Sequence, residues 1–244
     1  FQAEDGIRDA QESRGLGDVY KRQALNTPDK KLWGVWTSGV HIEPFAEASR
    51  SRSWKDAYNQ VQLIYIGSLS IGRNLSEFGK AVIAANQQGM NFAMTYIGSG
   101  NDVPNLALLE KESGGSIRVL APVPHSEVPV CLAKAHVGIL PFPDEIKFRV
   151  SSPIKLFEYM AAGLAILATR IECHTSVIGT DEYVFWARES TLDSFLETLY
   201  QVWQQRTRLC EMGKKAALDS RRWTWAESAR SLSNALRRGI QLHG

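Results

Sequence analysis

Lys155 and Glu158 stand three residues apart in Ser151-Ser152-Pro153-Ile154-Lys155-Leu156-Phe157-Glu158. On a helix that spacing puts an ammonium and a carboxylate on one face. Ser152 before Pro153 reads as an N-cap followed by a first-turn proline, so a helix is expected to begin here. The exposed N–H groups and positive dipole end of such a helix form a ready anion site. A lysine in the first turn opposes that dipole, which makes more sense if an anion sits nearby. One face would then offer an ammonium for a phosphate and, one turn deeper, a carboxylate that accepts two hydroxyl protons. That is the chemistry of gripping a ribose and its diphosphate together. The competing reading is a surface ion pair with no ligand.

A second segment, Gly67-Ser68-Leu69-Ser70-Ile71-Gly72-Arg73-Asn74, is small and polar and leads into a helical pattern. Small residues let backbone approach a phosphate closely, and Arg73 carries a guanidinium fork that suits one. The segment lacks the GK[ST] of a phosphate-binding P-loop and is not GxGxxG, so a glycine-rich turn with a surface arginine is the alternative. Gly98-Ser99-Gly100 reads as a turn alone. The adjacent acids Asp144 and Glu145, on a proline-bounded loop, read as solvated rather than as an acid/base pair. His125 precedes a helix start and could line a crevice, whereas His136 reads as structural. Neither histidine has a partner at metal-ligand spacing, so no metal site is expected. Cys131, Cys173 and Cys210 are scattered, which argues against a disulfide framework or a zinc site and points to a reducing compartment. Cys131 and Cys173 sit among apolar or small residues and read as buried thiols.

Elements must hold those loops in place. Val61 to Ile66 is apolar and β-branched and stops at Gly67, the pattern of a buried strand. Further strands are expected at Phe92 to Ile97, Ile117 to Leu120, Val137 to Leu140, Leu164 to Ala168 and Tyr183 to Trp186. Helical spacing occupies Leu75 to Gln87, Asn105 to Lys111, Val128 to Ala135 and Pro153 to Ala162. This alternation predicts βαβ units: an α/β fold with a Rossmann-like, doubly wound parallel sheet covered on both faces. Ligands of such sheets bind outside the carboxyl ends of the strands, where the loops above lie. After Trp186 the pattern turns helical over Leu192 to Arg208, Leu209 to Ala217 and Trp225 to Arg237. Trp186, Trp203, Trp223 and Trp225 read as anchors for these C-terminal helices. Gly34 to Ser53 mixes Gly, Pro, Ser and charges and reads as a linker or domain edge. The expected organisation is therefore 24–60 as linker, 61–190 as the ligand-binding domain and 191–244 as terminal helices.

With 244 residues, 44% hydrophobic and 22% charged, the chain has the composition of a soluble α/β domain. No apolar run reaches the roughly 18 residues that read as a membrane-spanning helix. A formal charge of +2 demands no nucleic-acid partner. Residues 1–23 have neither hydrophobic periodicity nor a signal-peptide core, and Asp18-Val19-Tyr20-Lys21-Arg22-Gln23 resembles a translated sequencing adapter. On that reading the authentic protein is truncated upstream of Ala24.

Over roughly residues 36–238 these segments resemble family 4 of the GT-B glycosyltransferases. Gly39-Val40-His41-Ile42-Glu43-Pro44-Phe45 is similar to the stretch that leads into that family's second domain. Tyr65-Ile66-Gly67-Ser68-Leu69 with Arg73-Asn74-Leu75 resembles its first strand and loop. Val123-Pro124-His125-Ser126-Glu127-Val128 and Val137-Gly138-Ile139-Leu140-Pro141 match its middle, and Trp225-Ala226-Glu227 its closing helix. The most specific match is Ser152-Pro153-Ile154-Lys155-Leu156-Phe157-Glu158-Tyr159-Met160-Ala161-Ala162-Gly163.

The resemblance implies the C-terminal, donor-binding half of a GT-B fold. Glu158 would hold the donor ribose, and Arg73 and Lys155 would meet the diphosphate as the catalytic cations. Backbone around Val123 and Pro124 would face the nucleobase, with Gly67, Ser68, Ser151 and Ser152 completing the donor set. Two departures stand out. The glutamate that typically precedes the equivalent of Glu158, with seven residues between, is Val150 here, and the basic residue often found after the first glycine is Ser68. The family transfers sugars with retention and generally without a bound metal or other cofactor, the nucleotide-diphosphate sugar being a substrate. The implied acceptor is a sugar, lipid-linked or small molecule bound by an N-terminal domain, through which a peripheral contact with the inner face of the membrane would also run. The implied location is cytoplasmic. A donor-binding half alone would bind donor but turn over poorly. A GT-B-like nucleotide-sugar epimerase and a non-catalytic nucleotide-binding module are the alternatives.

Overall fold

The computed structural model describes residues 37–178 and 180–243; the adapter-like residues 1–23 lie outside them. Among the described residues six strands form one all-parallel sheet: β1 (Val61–Ile66), β2 (Phe92–Ile97), β3 (Ile117–Leu120), β4 (Val137–Leu140), β5 (Ala165–Thr169) and β6 (Val184–Ala187). Four match the apolar runs residue for residue, and β5 and β6 are displaced by one. Strands β4 and β5 are buried along their whole length, as parallel strands with both faces covered must be.

The sheet order is β3-β2-β1-β4-β5-β6, so the chain reverses its direction of travel between β1 and β4. Those two strands are neighbours, with Leu63 opposite Val137 and Ile64 opposite Gly138. Such a switch point leaves a crevice outside the carboxyl ends of the central strands. The segments that follow β1 and β4 therefore wall one space.

Among the described residues ten α-helices surround the sheet: α1 (Ile42–Ser49), α2 (Leu75–Gln87), α3 (Val103–Glu112), α4 (Val128–Ala133), α5 (Ile146–Arg149), α6 (Ile154–Ala161), α7 (Glu172–Thr175), α8 (Leu192–Gln204), α9 (Leu209–Asp219) and α10 (Trp225–His243). Helices α2, α3 and α8 form one layer and α1, α4, α6 and α9 the other. Phe78 of α2 meets Phe195 of α8 edge-on at 5.2 Å, so the helix after β6 returns to cover the helix after β1. Trp203 packs edge-on against Phe92 at 5.7 Å and Trp223 stacks on Phe157 at 5.3 Å, the anchoring expected of these two tryptophans, whereas Trp225 is 41% exposed.

The segment read as a linker or domain edge is, in its described part, folded onto the domain. Helix α1 buries Phe45 and packs on α4 and α6, and Val40 bridges to Thr224. Arg52 donates to the carbonyls of Leu132 and Gly163, 3.0 Å each, at the ends of α4 and α6. Helix ends leave such carbonyls unpaired, and a half-buried guanidinium satisfies two at once. Composition alone does not reveal this docking, because one phenylalanine and one arginine carry it.

Candidate functional site

Helix α6 is locked into the domain on every side. From Lys155 to Ala161 all its residues are buried. The Tyr159 ring lies flat against β4 where Gly138 has no side chain; a Cβ there would come within 2.4 Å of the ring. The Tyr159 hydroxyl accepts from the Ile66 N–H at 3.2 Å, tying α6 to the end of β1. The helix start differs from the expectation in one respect: Ser152 is not its cap. The turn closes through backbone, with the Ser152 carbonyl accepting from Ile154 N–H at 2.9 Å and the Pro153 carbonyl from Leu156 N–H at 2.8 Å. No side chain caps the helix, and the Ser152 hydroxyl is buried without a protein partner. With Pro153 preceding the first helical residue, one orphan N–H is absent and a cap is less needed.

At the switch point a cavity of about 390 Å³ opens between the segment after β1 and the segment from β4 to α6. Ser68 and Arg73 line it from the first, and Ser151, Ser152 and Lys155 from the second. Lys155, only 7% exposed, extends over the backbone of Gly67. The Arg73 guanidinium sits 5.0 Å over the Phe142 ring and 6.0 Å from that of Phe148, and these two rings stack at 5.0 Å. Lys147 lines the same cavity. Arg73, Lys147 and Lys155 are the charged residues among those lining it, and none is acidic.

The segment bearing Arg73 is held by its neighbours. Asn74 adopts a left-handed conformation (φ 54°) and donates to the carbonyl and hydroxyl of Ser190, 3.0 Å each. Asparagine tolerates that region better than most residues. The loop after β2, read as a turn only, braces the loop after β1: Leu69 N–H donates to Ser99 O at 2.7 Å, and Asp102 N–H to Leu69 O at 2.9 Å. The buried Asp102 carboxylate accepts from the Ser76 hydroxyl at 2.7 Å, pinning the start of α2.

Glu158 does not line the cavity. It lies one turn further along α6, 3% exposed, with its Oε1 2.9 Å from Nε2 of the exposed His125. That contact brings the loop after β3, with Val123 half-buried and Pro124 exposed, beside the carboxylate. Neither Val123 nor Pro124 lines the cavity. Val150, at the position of the family's glutamate, is half-buried.

A family model for Glycosyl transferases group 1 matches residues 60–205. The chain belongs to this family. No protein of curated function matches the sequence. Among solved structures, the C-terminal domain of a glycosyl transferase group 1 family protein from Francisella tularensis is 12% identical, with a TM-score of 0.56 over 82% of this chain and 100% of that one. An α,α-trehalose 6-phosphate synthase from Burkholderia multivorans gives 12% identity and a TM-score of 0.64, over 86% of this chain and 51% of that one. TarM from S. aureus, solved with fondaparinux, alpha-GlcNAc-glycerol and UDP, gives 10% and 0.61 over 72% and 35%. The group 1 chain thus has the fold of the C-terminal half of a GT-B glycosyltransferase, and spans about half of the synthase and a third of TarM.

Other features of this group 1 chain were hidden in its sequence. Asp144 and Glu145 are exposed, as expected, but each is paired: Asp144 with Arg149 at 2.6 Å and Glu145 with Lys147 at 2.7 Å. Lys147, Phe142 and Phe148 were not anticipated as cavity residues. A cation followed directly by an aromatic, Lys147-Phe148, is the signal that could have found these two. Burial pushes the Cys173 thiol up to about 12, as befits an inert core cysteine. His136 is structural: its Nδ1 accepts from Gln62 N–H at 3.0 Å while Nε2 donates to Ser53 O at 3.0 Å. Among the described residues no three His, Cys, Asp or Glu side chains gather to hold a metal ion, and no helix is long and apolar enough to cross a membrane.

Proposed function

We propose that this chain binds the nucleoside diphosphate part of a nucleotide-sugar donor, and that the whole protein transfers the sugar with retention to a sugar, lipid-linked or small-molecule acceptor. The observation that carries this reading is the placement of Lys155 and Arg73 in one cavity at the switch point, with Glu158 one turn along the same helix as Lys155. A carboxylate there accepts from ribose hydroxyls, while the cations and the start of α6 take the phosphates. Support of a different kind comes from TarM, a structure of the same fold solved with UDP.

In transfer, negative charge grows on the diphosphate as the sugar departs. Cations already fixed in the cavity lower the energy of that state without reorganising, and in this reading they, rather than a metal or other cofactor, meet the charge. The backbone near Val123 and Pro124 faces the nucleobase, with Gly67, Ser68, Ser151 and Ser152 around the phosphates.

Calorimetric titration with UDP, GDP and ADP tests the reading. At least one should bind, and Glu158→Ala should weaken it roughly 10- to 100-fold, the value of hydrogen bonds to a charged group. If none of the three binds, or if the substitution changes nothing, the donor-site reading fails.

A further inference from the structure

We infer that Lys147 is a donor-binding residue that takes the outer phosphate of the diphosphate, the one bonded to the sugar. The inference rests on the donor-site reading above and adds a residue and a position to it.

Lys147 belongs to the short helix α5, in a segment separate from those bearing Arg73 and Lys155, yet its side chain lines the same cavity. Its ammonium reaches the loop after β1: a Cβ built on Gly72 would lie 3.0 Å from Lys147 Nζ. The same loop meets Lys155 at its other end, where a Cβ on Gly67 would lie 2.8 Å from Lys155 Nζ. The two ammoniums are thus held at opposite ends of one stretch of backbone, residues 67–72. Lys155 shares a helix with Glu158 and stands at the ribose end. Lys147 stands at the other end, where the second phosphate of an extended diphosphate falls.

The aromatic pair also places Lys147 beside Arg73. Lys147 Nζ lies 4.9 Å from the centre of the Phe148 ring, Phe148 stacks on Phe142, and Arg73 lies over Phe142. Two cations are therefore held against one stacked pair through cation–π contacts. The Glu145 partner of Lys147 is 48% exposed, and Lys147 itself 57%. An exposed pair of that kind is worth little, so a phosphate exchanges for Glu145 at small cost. The released diphosphate carries more charge than the sugar-bearing one. A cation at the outer phosphate therefore favours the departing state over the bound donor.

The test compares a nucleoside diphosphate with its monophosphate. For whichever of UDP, GDP or ADP binds the wild type, Lys147→Ala should weaken the diphosphate about tenfold, a charge-assisted contact of about 1.4 kcal/mol, and leave the monophosphate within about twofold. Lys147→Arg should restore most of the loss. Equal losses for the two nucleotides, or no loss for the diphosphate, overturn the inference. In that case diphosphate binding that Glu158→Ala and Arg73→Ala still weaken keeps the donor site and removes only Lys147 from it. If the wild type binds no nucleoside diphosphate, both fall. Because Lys147 is exposed, the alanine variant should fold as the wild type does, which circular dichroism checks.

Discussion

The Lys155 side chain lies directly over the Cα of Gly67, so that a Cβ built on the glycine would fall 2.2 Å from Lys155 Cε. Gly67 also has φ +133°, a backbone conformation that side chains other than glycine's rarely adopt. Gly67→Ala should therefore act twice. Backbone strain should cost about 1–3 kcal/mol in denaturant unfolding. Displacement of the ammonium should also weaken nucleoside diphosphate binding by about tenfold. Lys155→Ala should reproduce the second effect without the first. Wild-type affinity in Gly67→Ala would show that this packing does not set the lysine.

His125 holds one oxygen of the Glu158 carboxylate at 2.9 Å. The other oxygen is then aimed by that contact, and the pair should report on sugar recognition. His125→Ala should keep nucleoside diphosphate binding but lower the preference for a ribonucleotide over its 2′-deoxy analogue by about three- to tenfold. His125→Gln, which retains a donor, should lie between. An unchanged preference in the alanine variant would remove His125 from the ribose grip.

His174 is fully buried, and burial lowers its pKa to about 4 from 6.5. Its Nδ1 donates to the Thr169 carbonyl at 2.8 Å, so the neutral ring suits the folded state. Because the unfolded chain binds the proton more readily, stability is complete above about pH 6.5 and is lost as pH falls from there towards 4. The loss approaches about 3 kcal/mol at the low end. His136, shifted in the same direction by burial, adds to it. Urea unfolding at pH 7.5 and pH 5 checks the slope, and His174→Asn, which keeps a donor for Thr169, should flatten it. An equal slope in that variant would assign the pH dependence elsewhere.

Strand β4 was legible because burial on both faces leaves an unbroken apolar run, Val137–Leu140, and the edge strand β3 kept enough β-branched residues to read despite Arg118. Helix α2 was legible because its apolar residues keep helical spacing from Leu75 onward. Lys155 and Glu158 stood out through their spacing on one helix. Lys147 did not, since it follows the exposed acids Asp144 and Glu145 and its place in the cavity depends on how α5 packs. The cap expected of Ser152 followed a rule of local sequence that a closed backbone turn here supersedes. Helix α1 was invisible because its docking relies on contacts more than 80 residues away, such as Arg52 to Gly163.

Lys155 and Glu158 share an eight-residue helix that is buried from Lys155 onward and pinned to β1 through Tyr159. Three residues of helix advance about 4.5 Å along the axis, and no rotation of a loop can lengthen that interval. The helix is thus a gauge whose unit is the backbone hydrogen bond. On the donor-site reading proposed above, a ligand would be measured by whether its sugar hydroxyls and its first phosphate are that far apart. Replacing the sugar beyond the phosphates does not alter the measurement. The same gauge would serve relatives that carry different sugars, leaving selection among them to residues outside it.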